Sequence, residues 1–159
     1  MDEILIRKAE LSDLETLLEF EQGIASFERP LDGTLKEGEI HYYDLAEMIS
    51  APDAEVLVAV AGNELVGSGH ARIKNAQSYL KHQLYAYLGF MYVKPEHRGK
   101  GINNMIIDAL KQWCIKKNIS EMRLEVYQKN IQAIKAYEKA GFSANLLEMR
   151  MGLNDQPKP

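Results

Sequence analysis

The feature that most constrains this chain is a strand-like run, Gln83 to Val93, that leads into Arg98-Gly99-Lys100-Gly101 and then into a helical apolar period. Ile102, Met105, Ile106, Ala109, Leu110, Trp113 and Cys114 recur at the spacing of one helix face. A strand, a glycine-rich turn and a helix in succession place the first backbone N–H groups of the helix beside the loop. Those donors have no partner inside the helix, and the helix dipole is positive there. Glycines let the backbone curl so that several N–H groups meet one anion. Such a loop suits a diphosphate, with Arg98 and Lys100 adding charge, and it serves equally as a plain connector. It is neither a Gly-x-x-x-x-Gly-Lys-Ser/Thr loop nor a Gly-x-Gly-x-x-Gly fingerprint, which fails at Asn104.

The rest of the chain frames this unit. Ile4 to Arg7 reads as a first strand, and Ser12-Asp13-Leu14-Glu15 reads as a capping box opening a helix that should stop near Pro30. Gly33 and Gly38 mark a loop, and a second helix is expected over His41 to Ser50. Strands at Glu55 to Ala61 and Leu65 to Lys74 meet in a hairpin at Gly62-Asn63. After the long helix come a strand at Glu121 to Tyr127, a helix at Asn130 to Ala140 ended by Gly141, and a last strand at Ala144 to Leu153. Hairpins in the first half imply antiparallel pairs, and strand–helix–strand in the second implies a parallel one. The expectation is one α/β (α+β) domain, residues 1–153, with a mixed central sheet and helices on both faces, followed by a frayed tail, 154–159.

Composition narrows the function. The formal net charge is −4 and no basic run occurs, which argues against a nucleic-acid binder. One cysteine, Cys114, excludes an internal disulfide, and His41, His70, His82 and His97 have no close ligand spacing, so no metal is expected. No run reaches the roughly 18 apolar residues of a membrane span, and the acidic N-terminus is unlike a signal peptide, so the cytoplasm is the expected location.

The stretch Tyr92-Val93-Lys94-Pro95-Glu96-His97-Arg98-Gly99-Lys100-Gly101-Ile102 resembles motif A of the GNAT superfamily of N-acetyltransferases. A second block, Leu124 to Asn130 and Ala133 to Phe142, resembles motif B, in the right order. The resemblance implies a GNAT-like sheet of about six to seven strands, with two splayed parallel strands forming a cleft for CoA. It implies acetyl-CoA as acyl donor, a small-molecule or peptide amine as acceptor, direct attack in a ternary complex, and no metal, nucleic acid or membrane. A homodimer is among the open assembly states. Where the family prefers Gly or Ala at the end of the loop, this chain has Asn103, whose side chain can crowd a phosphate.

By the same resemblance, Arg98, Gly99, Lys100, Gly101, Ile102 and Asn103 hold the pyrophosphate. Met91, Tyr92 and Val93 offer backbone to the pantetheine arm, and a backbone N–H near Met91 or Tyr92 is the oxyanion donor. Asn130 contacts that arm, and Tyr137 faces the sulfur and protonates the leaving thiolate. The two lie two turns apart on one expected helix, where Asn130 also reads as an N-cap and Tyr137 as a half-buried core residue. Relatives carry a carboxylate a few residues before the valine, where this chain has Gly89, Phe90 and Met91. Glu125 is the substitute base, acting through water, or else a solvated strand residue. Tyr85 and Tyr87 are further polar candidates, and Cys114 reads as core. Residues 28 to 47 correspond to the acceptor region, where Glu28, Asp32, Glu37, Glu39 and Asp44 either favour a cationic amine or form a solvated surface. The alternative function is a CoA-binding regulatory module of the same fold.

Overall fold

Alternate residues of one apolar run supply two cores. Val56 and Val58 point to one side of their strand, Leu57, Ala59 and Ala61 to the other, and all are buried. A strand apolar on both faces must lie inside a sheet covered on both sides. The computed structural model describes residues 3–154. Its elements run strand Ile4–Lys8 (β1), helix Leu14–Glu28 (α1), helix Leu45–Ser50 (α2), and strands Ala54–Ala61 (β2), Glu64–Asn75 (β3) and Leu84–Val93 (β4). Helix Ile102–Lys116 (α3), strand Met122–Arg123 (β5) and helix Ile131–Lys139 (α4) complete the order. The strands form one sheet in the order β1-β2-β3-β4-β5. All neighbours are antiparallel except β4 and β5, which are parallel.

α1 and α2 cover one face, with Leu17, Phe20, Leu45 and Met48 packed on Val56, Val58 and Phe90. α3 covers the other through Ile102, Ile106, Leu110 and Cys114. Ile107 belongs to its buried face, whereas Met105, expected there, is 37% exposed. α3 lies so close to β3 that a Cβ on Gly69 would stand 2.6 Å from Ile106 Cγ2.

Four expectations are corrected. The turn before α1 is capped by Glu10 and Asp13, not Ser12: the Glu10 N–H donates to Asp13 Oδ2 at 2.8 Å, and Arg7 holds the same carboxylate. α2 starts at Leu45 rather than His41, because Asp44 caps it by accepting from the Glu47 N–H. The strand expected over Glu121 to Tyr127 pairs only at Met122 and Arg123. The segment Ala144 to Leu153 forms no strand among the described residues, and the sheet there has five strands rather than about six to seven. Its apolar alternation is that of a strand, but a strand needs a hydrogen-bonded neighbour and the described residues supply none. The expectation of a frayed tail falls on residues 155–159, outside the described residues, apart from the exposed Asn154.

Candidate functional site

β4 and β5 pair only at Ala86 with Met122 and Tyr87 with Arg123. Beyond these pairs the ladder ends, so among the described residues the edge of β4 from Leu88 to Val93 has no strand partner on the β5 side. β4 carries a fault at Phe90. Phe90 has φ 57°, left-handed for a residue with a side chain, and the register with β3 slips between Ser68 and His70. That backbone is strained and is held from outside. The buried Ser68 hydroxyl donates to the Phe90 carbonyl at 2.9 Å, and the Phe90 N–H donates to Tyr43 Oη at 3.2 Å. Phe90 and Met91 have no partner in the β3 ladder. Met91 faces the α3 core, while Tyr92 packs on Phe20 with ring centroids 4.8 Å apart.

The glycine loop follows at the end of β4. After a short turn at Pro95–His97, Gly99 and Gly101 take φ 77° and 79°. Nothing lies within 4 Å of where a Cβ on either would stand. Gly101 is the N-cap of α3, so the first N–H groups of that helix open onto this space. A cavity of about 170 Å³ here is lined by Val93, Arg98, Gly101, Asn103 and, from α4, Ala136. His97 also lines it, with Nδ1 shielded and unpartnered. Arg98 donates Nε–H to the Val93 carbonyl at 3.0 Å, which fixes the guanidinium against the end of β4. Lys100 is exposed. Asn103 sits half-buried on the cavity wall, where its side chain meets whatever enters. The loop therefore fits an anionic group: open backbone donors, left-handed glycines and two nearby cations.

α4 forms the opposite wall. Asn130 is its N-cap, accepting from the Ala133 N–H at 3.2 Å, so the capping role expected of it is filled. Tyr137 is half-buried and packs edge-on against Phe142 at 5.9 Å. Burial first, and then the charge of Glu28, push its hydroxyl above the usual phenol range, so it stays protonated at neutral pH.

On the α1 and α2 side, pattern reading did not single out Glu21, Gln22, Tyr42 or Tyr43, which form a connected polar group there. Glu21 of α1, fully buried, accepts from the N–H groups of Tyr42 and Tyr43 and from His41 Nδ1. Gln22 exchanges hydrogen bonds with the Ile40 backbone. These contacts pin the loop, with Tyr42 set against Glu28 and Tyr43 against the Phe90 backbone. Tyr42 donates to Glu28 Oε1 at 2.9 Å, and burial raises the Glu28 carboxyl above the usual carboxylate range. Tyr43 is pushed up to about 12, first by burial, with the charges of Glu28, Glu21 and Glu125 adding to it. Tyr87 is raised likewise, by burial and then by Glu125. Glu125 is exposed, and its charge adds to the rise of both Tyr43 and Tyr87.

Gly89 explains the missing carboxylate. A Cβ there would meet Tyr43 Oη at 2.6 Å and His70 Cε1 at 2.8 Å, so the position is filled from the neighbouring elements. His70 is buried with neither ring nitrogen partnered, and burial lowers it to about 4, so it is neutral at physiological pH. The acidic residues of the acceptor region are mostly engaged. Asp32 accepts from Thr34, Tyr127 and Arg150, Asp44 caps α2, and Glu39 lies 3.3 Å from His41. Cys114 is core, its thiol pushed up to about 11 by burial. Tyr85 lies under the Arg123 guanidinium at 3.9 Å, a packing role. Among the described residues no group of His, Cys, Asp or Glu is arranged to hold a metal ion, and no helix is long and apolar enough to cross a membrane.

The acetyltransferase (GNAT) family pattern matches residues 18–142. The chain belongs to this family. It is 29% identical over 149 residues to the thialysine N-epsilon-acetyltransferase of Bos taurus, covering 87% of this chain and 83% of that protein. Its fold is similar to that of the tetramutant of BH1408 protein from Bacillus halodurans, with TM-score 0.83, 18% identity, and 94% and 99% of the two chains covered. A predicted acetyltransferase with acetyl-CoA from Clostridium acetobutylicum gives TM-score 0.71 at 18% identity over 95% and 97% of the chains. The protein is accordingly a GNAT-type N-acetyltransferase, and the short ladder between β4 and β5 is that expected of the family's splayed strands.

Proposed function

We propose that this GNAT enzyme transfers acetyl from acetyl-CoA to a primary amine of a small molecule or peptide, by direct attack with both substrates bound. The observation that carries the reading is the pair of open, left-handed glycines, Gly99 and Gly101, at the N-terminus of α3. With Arg98, Lys100, Ile102 and Asn103 they are assigned to the pyrophosphate. The β4 backbone from Met91 to Val93, with Asn130, is assigned to the pantetheine arm. The Phe90 fault, which leaves Met91 out of the β3 ladder, supports the Met91 N–H as donor to the developing oxyanion. Tyr137, protonated, supplies the leaving thiolate with a proton.

Two carboxylates, Glu28 and Glu125, are assigned separate parts. Glu28 has the environment of a base: half-buried, raised above the usual carboxylate range and within reach of Tyr42. Glu125, exposed on the opposite wall, is placed to draw the cationic amine in and to pass its proton to solvent water. A wall of Tyr42, Tyr43, Tyr87 and two carboxylates suits a cationic amine on a flexible stem. The bovine relative's name specifies an amine of that kind.

The test follows free thiol released from acetyl-CoA against a panel of diamines, lysine analogues and a lysine peptide. Thiol release with at least one amine is expected, and acetyl-CoA binding without release on any amine would mean a binding module instead. In the pH profile of kcat/KM, Glu28→Gln should lower the plateau by about a hundredfold and remove the acidic limb. Glu125→Gln should raise KM for the amine and leave that limb in place. An acidic limb unchanged in Glu28→Gln refutes the assignment of the base.

A further inference from the structure

One hydroxyl at the Phe90 fault has a proton and nothing to give it to. Tyr43 Oη accepts from the Phe90 N–H at 3.2 Å. Among the described residues no group accepts the Tyr43 proton in return, and both nitrogens of the neighbouring His70 are unpartnered. The ring stands edge-on to His70 with centroids 4.4 Å apart, and to Phe90 at 6.0 Å. Burial in this setting, with the charges around it, pushes the phenol up to about 12, so it keeps its proton at neutral pH. A phenol both accepts and donates, and here only the acceptor side is used.

The phenol reaches the strand only because Gly89 leaves it room, since a Cβ there would stand 2.6 Å from Tyr43 Oη. The loop that carries Tyr43 is fixed from behind by the buried Glu21, which accepts from the Tyr42 and Tyr43 N–H groups. On the strand side, Ser68 Oγ donates to the Phe90 carbonyl at 2.9 Å. Phe90 is thus gripped at its N–H and at its carbonyl, which holds it at φ 57°. Around a left-handed residue successive backbone N–H groups converge into a concavity that suits an anion. The N–H groups concerned are those of Phe90 and Met91, and neither residue is in the β3 ladder. Tyr43 covers the first of them and brings its own O–H to the same place.

On the acetyl-transfer reading above, we infer that Tyr43 is a catalytic residue whose O–H is the second donor, beside the Met91 N–H, to the thioester oxygen as it becomes an oxyanion. As the amine nitrogen bonds to the carbonyl carbon, the carbonyl π pair moves onto oxygen, where both donors meet it. The pair returns as the C–S bond breaks. Sulfur leaves with the C–S electrons and takes a proton from Tyr137, and the amine's surplus proton goes to Glu28. Tyr43 gives up no proton at any stage. The bond it accepts from the Phe90 N–H polarises the phenol and strengthens its O–H as a donor. Donors fixed in advance where charge develops stabilise the transition state without reorganising.

The test is the infrared carbonyl band of acetyl-CoA, labelled with carbon-13 at the thioester, bound to the full chain without amine. Hydrogen bonding weakens the C=O bond, so the wild-type band is expected below its frequency in solution. Tyr43→Phe should return the band part of the way, leave CoA affinity within a few-fold, and lower kcat by about a hundredfold with KM for the amine little changed. Tyr43→3-fluorotyrosine places a more acidic phenol at the same position and should lower the band further. A phenol that served only to accept from the Phe90 N–H would accept less well when fluorinated, and the band would rise. A wild-type band at the solution frequency, a band unmoved in Tyr43→Phe, or a band raised by fluorination overturns the inference. The spectra need no turnover. If the band shifts appear and no amine releases thiol, the donor assignment is upheld and the acetyl-transfer reading fails; thiol release with an unmoved band has the opposite meaning.

Discussion

Replacing Gly101 by alanine separates the cost of a strained backbone from the loss of an anion site. At φ 79° a side chain costs about 1–2 kcal/mol of folding stability. No clash adds to this, because nothing lies within 4 Å of the new Cβ. For a chain of this length the melting temperature should fall by about 2–8 °C. The Cβ, however, projects into the space over the first N–H groups of α3, where a phosphate must approach within hydrogen-bond distance. Losing one charge-assisted backbone bond there should weaken CoA binding by about 1.5–3 kcal/mol, that is by roughly ten- to a hundredfold. Calorimetric titration with CoA and thermal melts with and without it read the two effects independently. Gly101→Asp should abolish binding altogether, since a carboxylate then faces the phosphates. If Gly101→Ala lowers the melting temperature and leaves CoA affinity at the wild-type value, the loop is only a connector and the proposed cofactor site is wrong.

Tyr137→Phe should lower kcat by about a hundredfold or more and leave CoA affinity within a few-fold, as measured by steady-state kinetics and titration. Equal loss in both would give the ring a packing role against Phe142 rather than an acid role. Asp13→Asn removes a carboxylate that Arg7 grips through two hydrogen bonds and that is held below the usual carboxylate range chiefly by that contact. Because its folded pKa is depressed, its contribution is present above the unfolded value and is lost as pH falls through the folded one. Wild type should exceed the variant by about 1 kcal/mol at neutral pH in urea melts, and the gap should close in acid below the ordinary carboxylate range. Ile106→Ala should cost about 2–5 kcal/mol, a fall on the order of 10 °C, since the side chain is fully buried against β3.

Local chemistry made much of this protein legible in its sequence. Gly99 and Gly101 announce left-handed backbone, the apolar period from Ile102 to Cys114 announces the helix behind them, and Asn130 announces a cap. Each of these is decided within a few residues by sterics and hydrogen bonding, and each is found in place. The family motifs rest on the same local features.

What tertiary structure decided is what distant residues do to one another. Glu28 reads as one more surface acid until Tyr42, 14 residues on, is held over it by a loop pinned to Glu21, and burial then raises its carboxyl. Gly89 reads as the absence of a base until Tyr43 and His70 are seen filling its space. The length of β5 depends on how far β4 runs beside it, since the ladder ends at Tyr87 with Arg123 although apolar and β-branched residues continue to Tyr127. The segment Ala144–Leu153 marks the limit most clearly. Its alternation specifies a strand face, but a strand exists only with a neighbour to accept and donate its hydrogen bonds, and no periodicity within a sequence can state where that neighbour comes from.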